Sequence, residues 1–431
     1  MNPFASGWAP IVGPSYSLDP STAGDAQLIG AGGFRPAFRS AGAHALTAHV
    51  GPAAQPQQID PAVLRAALFS SGIPRSILLP SVAFTPGDTV RFDLPKAGIG
   101  LHMLVTIHGT VQRGATTGAP AVSPLGPYNL VRNVLFSDFS GIARVNASAF
   151  LLRQRQDAQL WSRYPRAMFD ALNISQVPSE LSQAYSHLNS SLATTFDSYS
   201  LPAASGSANI GFQFEVPIAL HRTTSIGALQ ATVPNGTASL YLYTQQLAGT
   251  TLEYPYVDST AGDLSLFTGA SFTASAEYFY IDPPAGLPLP LADLAVIHEL
   301  AEVTDTTGLA AGTTKTFTLD TGRTYQALYA LLVGNGAPDT VDVSRLTFLV
   351  NQSTPTYDVD LLSHLAMTRD AYGKDLQPGL FFLNFAQRPW TPDQYGSLAL
   401  ALQLGSSYSP TAPAYLRVLK ETTYISAGSP A

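Results

Sequence analysis

From residue 77 onward the chain is written in short apolar runs with a two-residue beat, cut at intervals by proline and glycine. Residues 77–84, 89–94 and 101–111 are rich in β-branched and aromatic side chains, and Pro80, Pro86-Gly87 and the stretch 95–98 separate them. Such runs predict strands. Within the third, Met103, Val105 and Ile107 share one face while His102 and His108 lie on the other. Further strands are predicted over 130–136, 142–152, 210–216, 238–243 and 272–281, the last alternating Phe272, Ala274, Ala276, Tyr278, Tyr280. A second series follows over 341–350, 380–385, 398–404 and 414–425, and 291–303 reads as strand by its place in the chain, with an amphipathic helix as the alternative.

Helices punctuate the pattern. Asp60 is placed to cap a helix with Pro61 at its first position, Ile59 and Leu64 as a staple and Gly72 as its stop. A second is predicted over 154–172, kinked near Pro165, and a third over 361–372, stopped by Gly373. Residues 1–58 carry scattered aromatics (Phe4, Trp8, Tyr16, Phe34, Phe38) without periodicity, which predicts an extended arm anchored on a neighbouring subunit or a free tail. The Ser-rich stretch 173–207 is too long for an ordinary connection and reads as a surface excursion.

One stretch occurs twice. Gly87, Phe92, Leu94, Met103, Ile107 and Gly109 are each matched 225 positions later by Gly312, Phe317, Leu319, Leu328, Leu332 and Gly334. A constant offset across two strands and the turn between them marks a duplicated β domain. Val131 and Phe136 match Val343 and Phe348 at an offset of 212, and Glu277, Tyr280 and Ile281 match Glu421, Tyr424 and Ile425 at 144. The shrinking offset puts the extra residues in the first copy, mostly between 152 and 272. Phe92, Phe317, Met103, Leu328, Ile107 and Leu332 are the expected core, each contributing roughly 1.5–3 kcal/mol if fully buried.

Composition narrows the function. Charged residues make up 12% of the 431, half the ~25% of an average soluble protein. So weakly charged a surface loses water cheaply and suits packing against copies of itself. The net charge of −7 and the lack of a Lys/Arg cluster argue against a phosphate-tracking groove, so no sequence-specific nucleic acid binding is expected. Arg153, Arg155, Arg163 and Arg166 share a stretch with Asp157 and Asp170 and read as a solvated or intersubunit face. There is no cysteine, hence no disulfide or thiolate metal site, and residues 1–5 lack the features of a signal peptide. Synthesis and folding in a cytoplasm are expected.

About eight short strands per copy, with a helix late in each, is the pattern of a jelly roll. Two such copies, joined by the Pro-rich stretch 283–290 and preceded by an arm and a helix, resemble the double jelly-roll major capsid proteins of tailless, membrane-containing bacteriophages of the tectivirus type. The resemblance is carried by the paired segments, by Leu125-Gly126-Pro127-Tyr128-Asn129-Leu130, and by Tyr280-Ile281-Asp282-Pro283-Pro284 with Leu291-Ala292-Asp293-Leu294, and covers roughly 77–425. It implies an all-β fold with a few short helices: an arm and helix over 1–76, a first eight-stranded jelly roll with long loop insertions over 77–282, a stiff linker over 283–290 and a second roll over 291–431. It further implies a homotrimer whose six rolls form a pseudo-hexagonal unit of an icosahedral shell over an internal membrane. The partners would be neighbouring trimers, minor capsid, vertex or membrane proteins of the virion, and the membrane itself through the N-terminal arm. A carbohydrate-binding or carbohydrate-active protein built from paired jelly rolls is the alternative.

Motifs for chemistry are incomplete. His298-Glu299 opens like a zinc-protease motif, but Glu302 stands where the second histidine belongs. No nucleophile elbow or phosphate loop occurs, and Gly30-Ala31-Gly32-Gly33 follows no strand. His102 and His108 are expected to face solvent or an interface, and His44 and His49 fall in the arm. Asp339, Asp342, Asp358, Asp360, Asp370 and Asp375 read as loop and turn carboxylates, with an interface Ca²⁺ or a glycosidase pair as the alternatives. No catalytic, cofactor-binding or metal-binding residue is assigned, no cofactor is expected, and the protein is not expected to be an enzyme.

Overall fold

The computed structural model describes residues 59–115, 120–163, 199–231, 236–258, 266–334, 336–340, 342–351, 354–372, 377–385, 389–392, 396–409 and 414–425. The arm 1–58, the predicted kink at Pro165, most of the Ser-rich stretch, and Arg166, Gly373 and Asp375 lie outside these residues. Pro61–Ala431 form one body.

Helix α1, Pro61–Ser71, ends where the Gly72 N–H bonds the Leu68 carbonyl at 2.8 Å. Strand β1, Ile73–Leu78, follows at once, four residues before the expected 77. Pro74 disguises this start by breaking the apolar beat, and it is tolerated because β1 lies at a sheet edge. Short two- and three-residue strands aside, among them Val82–Phe84, the rest of the first roll comprises β2 (Thr89–Asp93), β3 (Ile99–Arg113), β4 (Val131–Ser137), β5 (Ala143–Ala147), helix α2 (Ala149–Arg163), β6 (Ser207–Pro217), β7 (Ser239–Thr244) and β8 (Phe267–Asp282). The second begins with the short helix α3 (Leu291–Leu294), so 291–303 is split between helix and strand. Strands β9 (Val296–Asp305), β10 (Thr314–Thr318), β11 (Thr324–Gly334), β12 (Val343–Val350) and β13 (Thr354–Asp360) follow, then helix α4 (Leu361–Tyr372), β14 (Leu380–Asn384), β15 (Leu398–Leu404) and β16 (Tyr415–Ile425).

Two expectations need correction. Residues 150–152 continue into α2 rather than into a strand, because Ser148 caps that helix: its Oγ accepts from the Leu151 N–H, and its carbonyl receives the first helical bond, from Leu152. Strand β13 is unexpected; it is a half-exposed edge strand containing Pro355, so it shows no clean alternation.

The two rolls have the same strand order. In the first, the sheets run β1-β8-β3-β6 and β2-β7-β4-β5; in the second, β9-β16-β11-β14 and β10-β15-β12-β13. Registers repeat as well. Leu240 sits between Phe92 and Phe136, and Leu400 sits between Phe317 and Phe348. Strand β3 skips Leu101 in pairing with β8, and β11 skips Gln326, 225 residues on, in pairing with β16. A bulge kept at the same place in both copies keeps the same local twist there. All six expected core residues are buried, and Gly87 and Gly312 both turn with positive φ. The last offset is corrected: Tyr278 faces Met103 and Lys420 faces Leu328, so the final strands correspond at 142, not 144.

The rolls are joined by more than the proline stretch. Strand β9 pairs in parallel with β5, Leu300 opposite Val145 and Ala301 opposite Asn146, which merges one sheet of each roll into a single large sheet. Strand β11 is buried on both faces. Leu328, Ala330 and Leu332 point into the second core, while Tyr329, Leu331 and Val333 join the core of the first roll.

Candidate functional site

The concentrated chemistry lies in the seam between the rolls. Helix α2 runs along it and is buried from Ala149 to Ala158, apart from the half-buried Gln154. Arg153 and Arg155 were expected on a solvated or intersubunit face but are 2% and 1% exposed; Arg153 finds its counter-charge within its own helix and Arg155 on the second roll. A buried guanidinium persists only when paired and hydrogen-bonded. Arg153 pairs with Asp157 at 3.1 Å, and Arg155 Nη2 donates to Glu421 Oε1 on β16 at 2.6 Å.

Glu421 is the hub. His298 Nε2 donates to the same Oε1 at 3.0 Å, and the Tyr329 hydroxyl approaches Oε2 at 3.4 Å. Burial alone would raise the Glu421 carboxyl, but Arg155 and the His298 bond outweigh it and hold the group well below the usual carboxylate range. Burial pushes His298 below its ordinary value, and Arg155 adds to this against the pull of Glu421. Its Nδ1 lies 3.3 Å from the Ile218 carbonyl of the first roll.

Three further clusters fasten the seam. Glu302 Oε2 accepts from the Ser148 N–H and Oγ, each at 2.7 Å, so a carboxylate of the second roll sits at the N-terminus of a helix of the first. Arg417 bridges Glu302 at 3.1 Å and Glu253 at 2.7 Å, and Tyr415 also donates to Glu253. At the far end Asp293 accepts two bonds of 2.7 Å from Arg65 of α1 and one of 2.5 Å from Ser225. Each of these groups has its partner and the hub is closed to solvent, so they clamp the two rolls together.

The other residues weighed from sequence do not converge. His298, Glu299 and Glu302 stand on a strand; Glu299 pairs with Arg323, and no helix presents two ligands together. His102 is buried against Phe279, ring centroids 4.5 Å apart, rather than facing solvent, whereas His108 is exposed. Asp358 and Asp360 border an open hollow with Ser344, Arg345, Ser363 and Gln403. The Arg345 bond lowers the Asp358 carboxyl and the Ser363 bonds lower that of Asp360, the opposite of what a glycosidase acid needs. Asp339 and Asp342 hold a turn together, and the Asp370 side chain lies outside the described residues. Among the described residues no three His, Asp or Glu side chains gather as a metal site. Sequence reading missed Arg155, His298 and Glu421 as partners because they lie 123 and 266 positions apart from one another.

No family model matches the chain. A solved structure described as the STIV major capsid protein superposes with a TM-score of 0.57 at 14% identity, covering 82% of this chain and 98% of that one. The chain has the double jelly-roll fold. PBCV-1 VP54, solved and fitted into a reconstruction of the virophage Sputnik, gives the double jelly roll a second match at a TM-score of 0.52 and 12% identity, over 83% of this chain and 95% of that one. In sequence, the double jelly roll is similar to major capsid protein P3 of Enterobacteria phage PRD1, 23% identical over 341 residues, 74% of this chain and 80% of that protein. The resemblance drawn from the repeated segments therefore holds in fold, and the sequence relative is itself a capsid protein.

Proposed function

We propose that this protein is a viral major capsid protein that assembles as a pseudo-hexameric homotrimer and tiles an icosahedral shell. The observation that carries the reading is two rolls of identical strand order welded into one body by a buried seam. A fixed angle between two similar units is what a three-fold ring needs to present a near six-fold outline. The division into an arm and helix (1–76, with β1 already belonging to the roll), a first roll to 282, a linker over 283–290 and a second roll over 291–431 belongs to this proposal. So do the neighbouring trimers, the minor capsid, vertex or membrane proteins, a membrane contact through the N-terminal arm, folding in the host cytoplasm and the absence of a catalytic role. Light scattering across a wide concentration range tests it. A particle of 136.5 kDa, three times 45.5 kDa, or larger assemblies are expected, and a strict monomer overturns the reading.

A further inference from the structure

The internal seam has an unfilled counterpart. In the first roll the outer edge of β5 pairs with β9; the equivalent outer edges, that of β13 in the second roll and that of β1 in the first, pair with nothing among the described residues. The equivalences are fixed by register. Val145 faces Phe136 and Tyr357 faces Phe348, so β5 and β13 correspond at an offset of 212, and Ser148 and Asp360 cap the two following helices at that same offset. Ile73 faces Asp282 and Ile297 faces Tyr424, so β1 and β9 correspond at 224.

Resting on the three-copy reading, we propose that copies join head to tail by parallel pairing of β1 from one with β13 of the next, in the register of the internal seam. Leu300 opposite Val145 becomes Ser76 opposite Tyr357, and Ala301 opposite Asn146 becomes Ile77 opposite Asp358. The side chains change together. The internal cluster Arg155, Glu421 and His298 maps onto Met367, Phe279 and Pro74, so a charged triad is replaced at all three places by apolar groups. Glu302, which holds the Ser148 cap, maps onto Leu78; Asp360 caps its own helix through Ser363 and needs no second carboxylate. Leu78 and Leu362 are 70% and 76% exposed, while their internal counterparts Glu302 and Phe150 are covered. Farther from the edge Thr106 and Ser275 stand where the internal seam has Leu331 and Arg417, which confines the apolar contact to β1 and its neighbour.

The chain has no cysteine, so Ser76→Cys with Tyr357→Cys in the full protein is a clean probe. Paired strands lie about 4.8 Å apart, within disulfide reach. Oxidation should give covalent dimers and closed trimers from the double variant, and none above the single-variant level from either change alone. Particles of trimer mass without that cross-link, or a link formed within one chain, overturn the edge pairing and leave the three-copy reading standing; a strict monomer overturns both. A second pair guards against disturbed folding. Leu78→Glu sets a carboxylate beside Asp360 and should weaken assembly at least ~10-fold, the equivalent of about 1.4 kcal/mol, with near-UV CD unchanged. Adding Asp360→Ser rebuilds the Ser148–Glu302 pairing and should restore assembly. Unchanged assembly of the single variant, or no rescue in the double, overturns the proposal.

Discussion

The two rolls share strand order, bulge and cross-strand rungs, yet their corresponding helices live in different surroundings. Helix α2 is buried and carries arginines; α4 is half-exposed and carries leucine and methionine at the corresponding positions. Burial alone would predict the reverse. The difference shows that polarity here follows the partner: α2 has a fixed one in the same chain, and the fixed geometry of an intramolecular seam lets charges be paired. The counterpart edge, whose partner arrives only on assembly, is lined with apolar groups, which gain by burial without having to be paired atom by atom.

Breaking the buried triad tests this most severely. Glu421→Ala leaves Arg155 unpaired and should cost about 3–5 kcal/mol in denaturant unfolding. Exchanging the whole triad for its counterparts (Arg155→Met, Glu421→Phe, His298→Pro) is barred by the proline on a central strand, but Arg155→Met with Glu421→Leu should restore most of that loss. Recovery would show that pairing, not charge as such, is what the seam needs. Next, Phe92→Ala and Phe317→Ala remove matching rungs, and each should cost about 3–5 kcal/mol. A difference above roughly 1 kcal/mol, beyond ordinary error in extrapolated stabilities, would show that the two cores do not bear load alike.

Acid should weaken the second roll and the seam. Burial pulls His364 to about 4, so between its unfolded value near 6.5 and that value the unfolded chain takes up a proton that the folded ring refuses. Stability should fall by about 3 kcal/mol as pH drops through this window. His298, also depressed, acts with the same sign, and the Glu421 contribution is lost below its ordinary value of 4.5. Thermal melts from pH 7 to 4 check the slope, which His364→Gln should flatten. The smallest effects separate the caps. Ser148→Ala, removing a cap that also binds Glu302, should cost about 2 kcal/mol, and Asp360→Ala about 1 kcal/mol or less, at the two ends of the range for such caps.

Much of the architecture was legible because strands with one buried face must alternate, and a duplication preserves that alternation in register. The Phe92/Phe317 and Phe136/Phe348 pairs therefore located both rolls. Strand β13 escaped notice since an edge strand has no dry face to mark it, and residues 150–152 were misread because an apolar run fits helix and strand alike until Ser148 is recognised as a cap. The offset of the last strand was misjudged by two residues, since repeated Glu and Tyr-Ile letters match by composition while the hydrogen-bond ladder does not.

By itself the sequence determined the duplicated β framework, the core positions and the low charge of the chain. Those are properties of local periodicity and of composition. Only the tertiary structure decided that β5 meets β9, that Arg155 finds Glu421 across 266 residues, and that two sheets of different rolls become one. Such contacts depend on which surfaces face each other after folding, and a charge that looks solvated along the chain becomes a clamp once an opposite charge is brought within 2.6 Å in a dry place.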